Sequence, residues 1–255
     1  MKGTALITGG SSGIGLEYAR QLAARGYALI LVSNKADELQ AAADELGAST
    51  LCQDLAKPGA AASVLEWCDS RNLSVDVLVC NAGMFFMEYL GADNLPKAQT
   101  MMALHMNATT ELCVLFGERM KAAGSGHILI MSSMTDRIPA PGIAIYSSTK
   151  AYLKTFGLSL SYEMRPYGVY VTTVCPAAVD TDLYPLKPGL RAFLKRIGII
   201  KSPRWLVGRA LRRMFRGCRI VRPGLSNYLV PLAVALMPAR LTDHLGMKWI
   251  KTKTL

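Results

Sequence analysis

The sequence predicts an α/β fold, a doubly wound parallel sheet with helices on both faces. Two observations carry this. Short runs such as Ala28–Val32 and the Val77–Cys80 part of Asp76–Cys80 are apolar at every position, as in strands buried on both sides. Between such runs, apolar residues recur every three or four positions, as covering helices require. Right-handed crossovers then wind the sheet in both directions.

The elements follow in order. Ala5–Thr8 is a first strand, closed by Gly9-Gly10-Ser11-Ser12-Gly13-Ile14-Gly15. Leu16, Tyr18, Ala19, Leu22 and Ala23 recur with helical spacing as far as Arg25-Gly26. After the second strand, Ala28–Val32, a helix spans Lys35–Leu46 and Gly47 closes it. Ser49–Cys52 is a third strand, a helix follows near Pro58–Cys68, and Asp76–Cys80 is a fourth strand. One long helix runs from about Leu95 to Ala123, and His127–Met131 is a fifth strand. A loop rich in Pro and Gly, Ile138–Gly142, precedes a second long helix, about Ile145–Pro166, and a sixth strand, Val169–Val174. Tyr184–Lys201 reads as an inserted helical flap. Ser202 and Pro203 open another helix, as cap and first-turn residue, which runs to about Arg216-Gly217. Arg219–Val221 is a seventh strand. No repeat or linker interrupts the chain, so residues 1–255 read as one domain, with 183–255 a flap and tail within it.

With 255 residues, 51% hydrophobic, the chain can bury a substantial core and is not of the disordered class. Cys52, Cys68, Cys80, Cys113, Cys175 and Cys218 form no close pair in sequence and no metal-like cluster. They read as small buried hydrophobes in a reducing compartment, and no metal site is expected. Met1-Lys2-Gly3 leads straight into the first strand without a signal peptide. No apolar run approaches the ~20 residues of a membrane span. A cytoplasmic protein is expected. Charge is uneven: residues 1–182 balance at −4 and residues 183–255 at +15, with Asp243 the one acid in the latter. That asymmetry points to an anionic contact such as a membrane surface or a phosphorylated substrate tail.

Chemistry concentrates at Tyr146-Ser147-Ser148-Thr149-Lys150. A tyrosine and a lysine four apart share a helix face. The ammonium favours the phenolate, lowering a pKa otherwise near ~10 and making a proton donor usable near neutral pH. Gly9, Gly13 and Gly15 sit between a strand and a helix. Glycines there allow a tight turn and close approach to a pyrophosphate resting on the helix N-terminus. Their spacing differs from the commoner G-x-G-x-x-G.

Together these residues resemble the short-chain dehydrogenase/reductase family over about residues 3 to 182. Thr8-Gly9-Gly10-Ser11-Ser12-Gly13-Ile14-Gly15 is similar to its cofactor loop, and Asn81-Ala82-Gly83 to its N-A-G. Asn107 lies in the long helix where the family has an asparagine, Ser133 precedes Tyr146 by 13 positions, and Pro176 and Thr181 match the segment over the nicotinamide. The resemblance implies a Rossmann-type sheet of about seven strands and hydride transfer between a nicotinamide and a ketone or secondary alcohol. It implies that Tyr146 donates the proton and Ser133 holds the carbonyl oxygen. Lys150 would lower the tyrosine pKa and bind the nicotinamide ribose, and Asn107 would hold a water linking Lys150 to solvent. Without it, Ser133 is a strand-end serine and Asn107 caps a helix bend. The implied cofactor contacts are Gly9, Ser11, Ser12, Gly13, Ile14, Gly15, Ser33, Asn34, Lys35, Asp54, Leu55, Asn81, Ala82, Gly83, Tyr146, Lys150, Pro176, Val179 and Thr181. Asp54 and Leu55 match the family's adenine-binding pair, and the alternative for Asp54 is a cap for the next helix. Ala177 departs from the family's usual glycine, and the C-terminal quarter lacks the glycine-rich ending of many members.

Ser33-Asn34-Lys35 ends the second strand where an acid would favour NAD. With Ser11 and Ser12 opposite, Lys35 suits a 2′-phosphate, so NADP is expected over NAD. Met84, Phe85, Phe86, Met87, Tyr89, Ile138, Pro139 and Ile143, with Leu186, Leu190, Phe193 and Leu194 of the flap, form either an apolar pocket or core. A pocket would suit a 3-oxoacyl, long-chain keto-lipid or hydroxysteroid substrate. Arg209, Arg212, Arg213, Arg216, Arg219 and Arg222 recur as one cationic helix face, beside apolar Tyr228–Leu236 and then Arg240, Lys248, Lys251 and Lys253. This is either a peripheral membrane surface or a solvated face with a core or dimer segment. No nucleic-acid motif accompanies the charge. The resemblance also implies a homodimer or homotetramer. The rival classes are a dinucleotide-binding sensor without catalysis and a membrane-surface interaction protein.

Overall fold

In the computed structural model, residues 2–181, 183, 188–196, 198–238 and 240–241 are described. Seven strands form one parallel sheet in the order β3-β2-β1-β4-β5-β6-β7. They are β1 Thr4–Thr8, β2 Ala28–Ser33, β3 Ser49–Cys52, β4 Val77–Cys80, β5 Gly126–Met131, β6 Val169–Val174 and β7 Ile220–Val221. Strands β1 and β4 are neighbours, with Ala5 opposite Val77. The chain leaves β1 toward β2 and β3, then crosses back to β4. The loops after β1 and β4 therefore part, opening a crevice at the carboxyl ends of the strands.

Strand residues alternate between two cores. Leu78 and Cys80 of β4, and Ile128 and Ile130 of β5, face α3 (Ala60–Asp69), α5 (Ala108–Ala123) and α6 (Ala144–Met164). Val77, Val79, Leu129 and Met131 face α1 (Gly13–Ala23), α2 (Ala36–Leu46) and α8 (Pro203–Met214). With apolar groups needed on both faces, no polar alternation appears in the sequence. All six cysteines are free; four are buried, Cys218 is half-buried and Cys52 is exposed.

The helix expected over 95–123 is interrupted. Leu95–Met102 (α4) gives way to a π-helical turn, Ala103–Asn107, before α5 begins. There the Ala108 N–H donates to the Ala103 carbonyl, five residues back. Such a turn changes which side chains face inward without ending the helix, and these turns cluster at functional sites.

Within the expected flap, α7 spans Pro188–Arg196. Leu186 lies outside the described residues, as do the side chain of Leu190 and Lys248, Lys251 and Lys253. Ser202 caps α8 by accepting from the Trp205 N–H at 3.2 Å. Helix α9 is Ser226–Ala235. The single cationic face read from the sequence is split. Arg209, Arg212 and Arg213 belong to α8 and Arg216 to the turn after it, whereas Arg219 stacks on Tyr162 at 4.3 Å and Arg222 pairs with Asp136. The helix stops at Met214, and Gly217, at φ 70°, turns the chain into β7. No described helix is long and apolar enough to cross a membrane.

Candidate active site

A cleft of about 570 Å³ runs over the carboxyl ends of the strands. Its wall begins at the β1–α1 loop. Gly9 takes the left-handed region at φ 62° and donates its N–H to the Val32 carbonyl at 2.8 Å. A Cβ on Gly15 would overlap the Gly9 carbonyl oxygen, so only glycine lets α1 start hard against the loop. Gly15 itself does not line the cleft. Gly13 does, also left-handed at φ 55°, and a Cβ there would project toward Thr181 with 3.6 Å to spare. Ser12 makes no side-chain cap, and among the described residues no side chain is bonded to the first N–H groups of α1. A left-handed glycine beside uncapped N–H groups fits a dinucleotide pyrophosphate.

Asn81, Ala82 and Gly83 form the facing wall. The Asn81 amide donates to the Thr8 carbonyl at 3.1 Å and to the Gly9 carbonyl at 3.4 Å. Thr8 Oγ1 accepts the N–H groups of Asn81 and Ala82, each at 3.0 Å. These bonds tie the loops after β1 and β4 together, fixing the crevice that the topology opens.

At one end lie Ser11, Ser12, Ile14, Ser33, Asn34, Lys35, Asp54 and Leu55. Ser11 Oγ and Ser33 Oγ are hydrogen-bonded at 2.9 Å. Asp54 Oδ1 accepts the Ala56 N–H at 3.0 Å, so Asp54 both shapes its turn and lines the cleft. Lys35 Nζ donates to Glu38 Oε1 at 2.8 Å, and Glu38 also accepts from Ser11 Oγ at 3.4 Å. The hydrogen bond from Lys35 holds the Glu38 carboxyl below the usual carboxylate range. An acid therefore reaches this region from the first turn of α2, not from the end of β2. The i, i+3 spacing of Lys35 and Glu38 is the sequence signal that could have found it.

At the other end the cleft is lined by Ser133, Tyr146 and Lys150, with Pro176, Val179 and Thr181. Ser133 Oγ accepts the Thr135 N–H at 3.2 Å, which leaves its own O–H to donate elsewhere. Lys150 Nζ donates to the Met131 carbonyl at 3.0 Å and lies 5.6 Å from the Tyr146 ring centroid. Burial pushes the Lys150 ammonium down to about 8. Ser132 Oγ donates to the Lys150 carbonyl at 2.7 Å, holding α6 against the end of β5. Asn107 is not brought in. It closes the π-helical turn with an exposed side chain and does not line the cleft.

The π-helical turn instead brings in His105, which the sequence reading did not single out. His105 is fully buried and lines the cleft. Its Nε2 accepts the Met84 N–H at 3.1 Å. Its Nδ1 lies 2.9 Å from Thr149 Oγ1, which donates its own proton to the Tyr146 carbonyl. Both contacts require the neutral Nδ1–H tautomer. Burial, and then the charge of Lys150, push the imidazole well below its usual range. His105 thus pins the loop after β4 to the helix carrying Tyr146. His105→Leu should destabilise the fold by about 1–3 kcal/mol, because the Met84 N–H loses its acceptor. Below pH ~6.5 the unfolded chain binds a proton at His105 that the folded chain refuses, so the parent loses stability as pH falls. The gap between parent and variant should narrow there. Urea unfolding at several pH values checks both statements, and a pH-independent gap would refute the second.

The apolar stretch after Asn81-Ala82-Gly83 divides. Met84 lines the cleft, joined by Leu104 and Leu183. Phe86 and Ile143 are buried with Ala98, Met101 and Tyr146 in one cluster, and Phe85 meets the Tyr146 ring edge-on at 4.9 Å. Ile138 is buried, whereas Tyr89, Pro139 and Phe193 are exposed. Much of the stretch is therefore core built around the tyrosine.

A strand-order reversal, a left-handed glycine loop and a buried Tyr–Lys helix face over one cleft define a dinucleotide-binding oxidoreductase fold. The family model described as short chain dehydrogenase matches residues 3–187, and the chain belongs to that family. It is similar to the very-long-chain 3-oxoacyl-CoA reductase of Pyrenophora tritici-repentis, at 31% identity over 83% of this chain and 63% of that protein. The Bos taurus protein of the same name is 33% identical over 72% of this chain and 61% of its own length. The chain thus spans somewhat under two thirds of these relatives. Among solved structures, a short-chain dehydrogenase from Sphingobium yanoikuyae in complex with NADPH matches with TM-score 0.74 and 28% identity, covering 99% of this chain and 96% of that one. The bulky-bulky ketone specific alcohol dehydrogenase from Comamonas testosteroni matches with TM-score 0.74 and 27% identity, covering 99% and 94%.

Proposed function

We propose that this protein is an NADP-dependent reductase of 3-oxoacyl thioesters or related long-chain keto-lipids. The observation that carries the reading is the presence of Ser133, Tyr146 and Lys150 in the same cleft as the uncapped N-terminus of α1. Relatives named very-long-chain 3-oxoacyl-CoA reductase support the substrate class. Gly9, Gly13 and the first turn of α1 would hold the pyrophosphate, and Asn81, Lys150 and Thr181 the nicotinamide half. The bound nicotinamide supplies the hydride. Tyr146 gives its hydroxyl proton to the carbonyl oxygen, and Ser133 donates a hydrogen bond to the same atom, so the developing charge is met from two sides. Lys150 adds a buried positive charge nearby.

NADP preference rests on Ser11, Ser33, Asn34 and Lys35 at the far end, and a neighbour's structure was solved with NADPH. The Lys35–Glu38 pair leaves its side chains 60% and 42% exposed. Such a pair is worth only about 0–1 kcal/mol, so a 2′-phosphate can draw the lysine away. The test is turnover of 3-oxoacyl-CoA substrates of increasing chain length, with a ketosteroid for comparison, under NADPH and NADH. The expected result is kcat/KM rising with chain length, roughly tenfold better with NADPH, and a preference reversed by Lys35→Asp. Tight NADPH binding without turnover of any ketone would replace this reading by that of a sensor.

A further inference from the structure

We propose that the leucine face of α9 and the arginine cavity beside it form one surface that binds an anionic phospholipid bilayer. Leu225, Leu229, Leu232 and Leu236 fall on one side of α9 and its N-terminal approach. They are 71%, 54%, 57% and 75% exposed, whereas Asn227 and Pro231, on another side, are buried. A solvated helix face is polar, so four half-exposed leucines in a row mark a contact surface. A helix of 10 residues is only about 15 Å long, half the ~30 Å hydrocarbon core, so it would lie in the interface and not across it.

Beside it, Arg209, Arg212, Arg213 and Arg216 border a cavity of about 490 Å³. All four are exposed, and none is ion-paired among the described residues. Tyr228 of α9 lines the same cavity, so the arginines and the leucine-bearing helix meet there. The combination selects the occupant. A second copy docked symmetrically on this face would bring the two arginine groups together, which is repulsive. A soluble polyanion would leave the leucines in water. A bilayer with anionic lipid offers phosphates at the level of the arginines and acyl chains below the leucines. Nor is α9 a loose appendage. The Arg137 guanidinium donates to the Asn227 carbonyl, and the Asn227 amide to the Pro223 carbonyl.

The test is flotation of the full chain with vesicles of phosphatidylcholine alone and of phosphatidylcholine mixed with phosphatidylserine. Two doubly substituted variants, Arg212→Glu with Arg213→Glu and Leu229→Ser with Leu232→Ser, are run beside it. Thermal melting and NADPH binding serve as folding controls. The parent should float only with the mixed vesicles, and less so at high salt. Each arginine near an anionic surface contributes roughly fivefold, so the charge-reversed variant should bind roughly tenfold or more weakly. The serine variant should also lose binding. Failure of the parent to float, equal binding to neutral vesicles, or undiminished binding by both variants would overturn the proposal. So would light scattering that shows a parent dimer which the serine variant turns into a monomer, without flotation, since the face would then join two copies.

Discussion

Tyr146→Phe is expected to lower kcat/KM for reduction of the proposed 3-oxoacyl thioester substrate by a factor of about 10² to 10⁴, the range over which a positioned proton donor acts. The substitution removes the phenolic hydroxyl and leaves the ring. The ring keeps its edge contact with Phe85 and its place among Phe86, Ala98, Met101 and Ile143. The Tyr146 carbonyl still accepts from Thr149, so the His105 brace is intact. NADPH affinity and the melting temperature should therefore stay close to the parent's while turnover falls. Steady-state kinetics with a fluorescence titration of NADPH separate the two quantities. Parent-like turnover by the variant would mean that the proton reaches the carbonyl oxygen from another group, and the assignment of Tyr146 would be abandoned.

Gly15→Ala should have the larger effect on the fold. Its added Cβ would overlap the Gly9 carbonyl oxygen and lie 2.7 Å from the Asn81 amide nitrogen. Neither neighbour can yield freely. Gly9 is hydrogen-bonded to β2, and the Asn81 amide bonds the carbonyls of Thr8 and Gly9. Overpacking of this kind costs about 1–3 kcal/mol and sometimes more. Backbone on one side and a doubly hydrogen-bonded side-chain amide on the other put this site at the upper end, and dinucleotide binding should be lost with it. Gly13→Ala is the informative control. Its Cβ finds room, but φ 55° is strained for a residue with a side chain, at about 1–2 kcal/mol. Urea midpoints and NADPH titrations should show Gly15→Ala failing in both and Gly13→Ala failing mainly in binding. A Gly15→Ala protein with the parent's midpoint would refute the close-approach argument.

The strands and the Tyr–Lys face were legible because each obeys a local rule. A strand covered on both sides must be apolar throughout, as β4 is, and residues four apart on a helix must share a face. The interior of the long helix was not legible. A π-helical turn at Ala103–Asn107 leaves helical periodicity on either side intact, so nothing in the apolar pattern shows that His105 turns inward while Asn107 stays exposed. Glu38 escaped because attention to the end of β2 overlooks a side chain reaching back from the next helix. The arginines after position 208 misled for the opposite reason. Their three- and four-residue spacing continues past Met214, where the helix does not, so Arg219 and Arg222 fall in with the cationic face by spacing alone while serving a tyrosine and a buried aspartate.

The supports of the turn that follows Ser133 have a consequence for how the protein matures. Asp136 is clamped by Arg222, 86 positions later, and Arg137 reaches Asn227, 90 positions later. Contacts this far apart form late, since a long loop must close before they reward it. During synthesis the nucleotide half can assemble from the first strands, but the serine's turn stays unbraced until Arg222 and Asn227 have been made and have docked. Catalytic competence should therefore be among the last properties the nascent chain acquires, well after it can hold its dinucleotide.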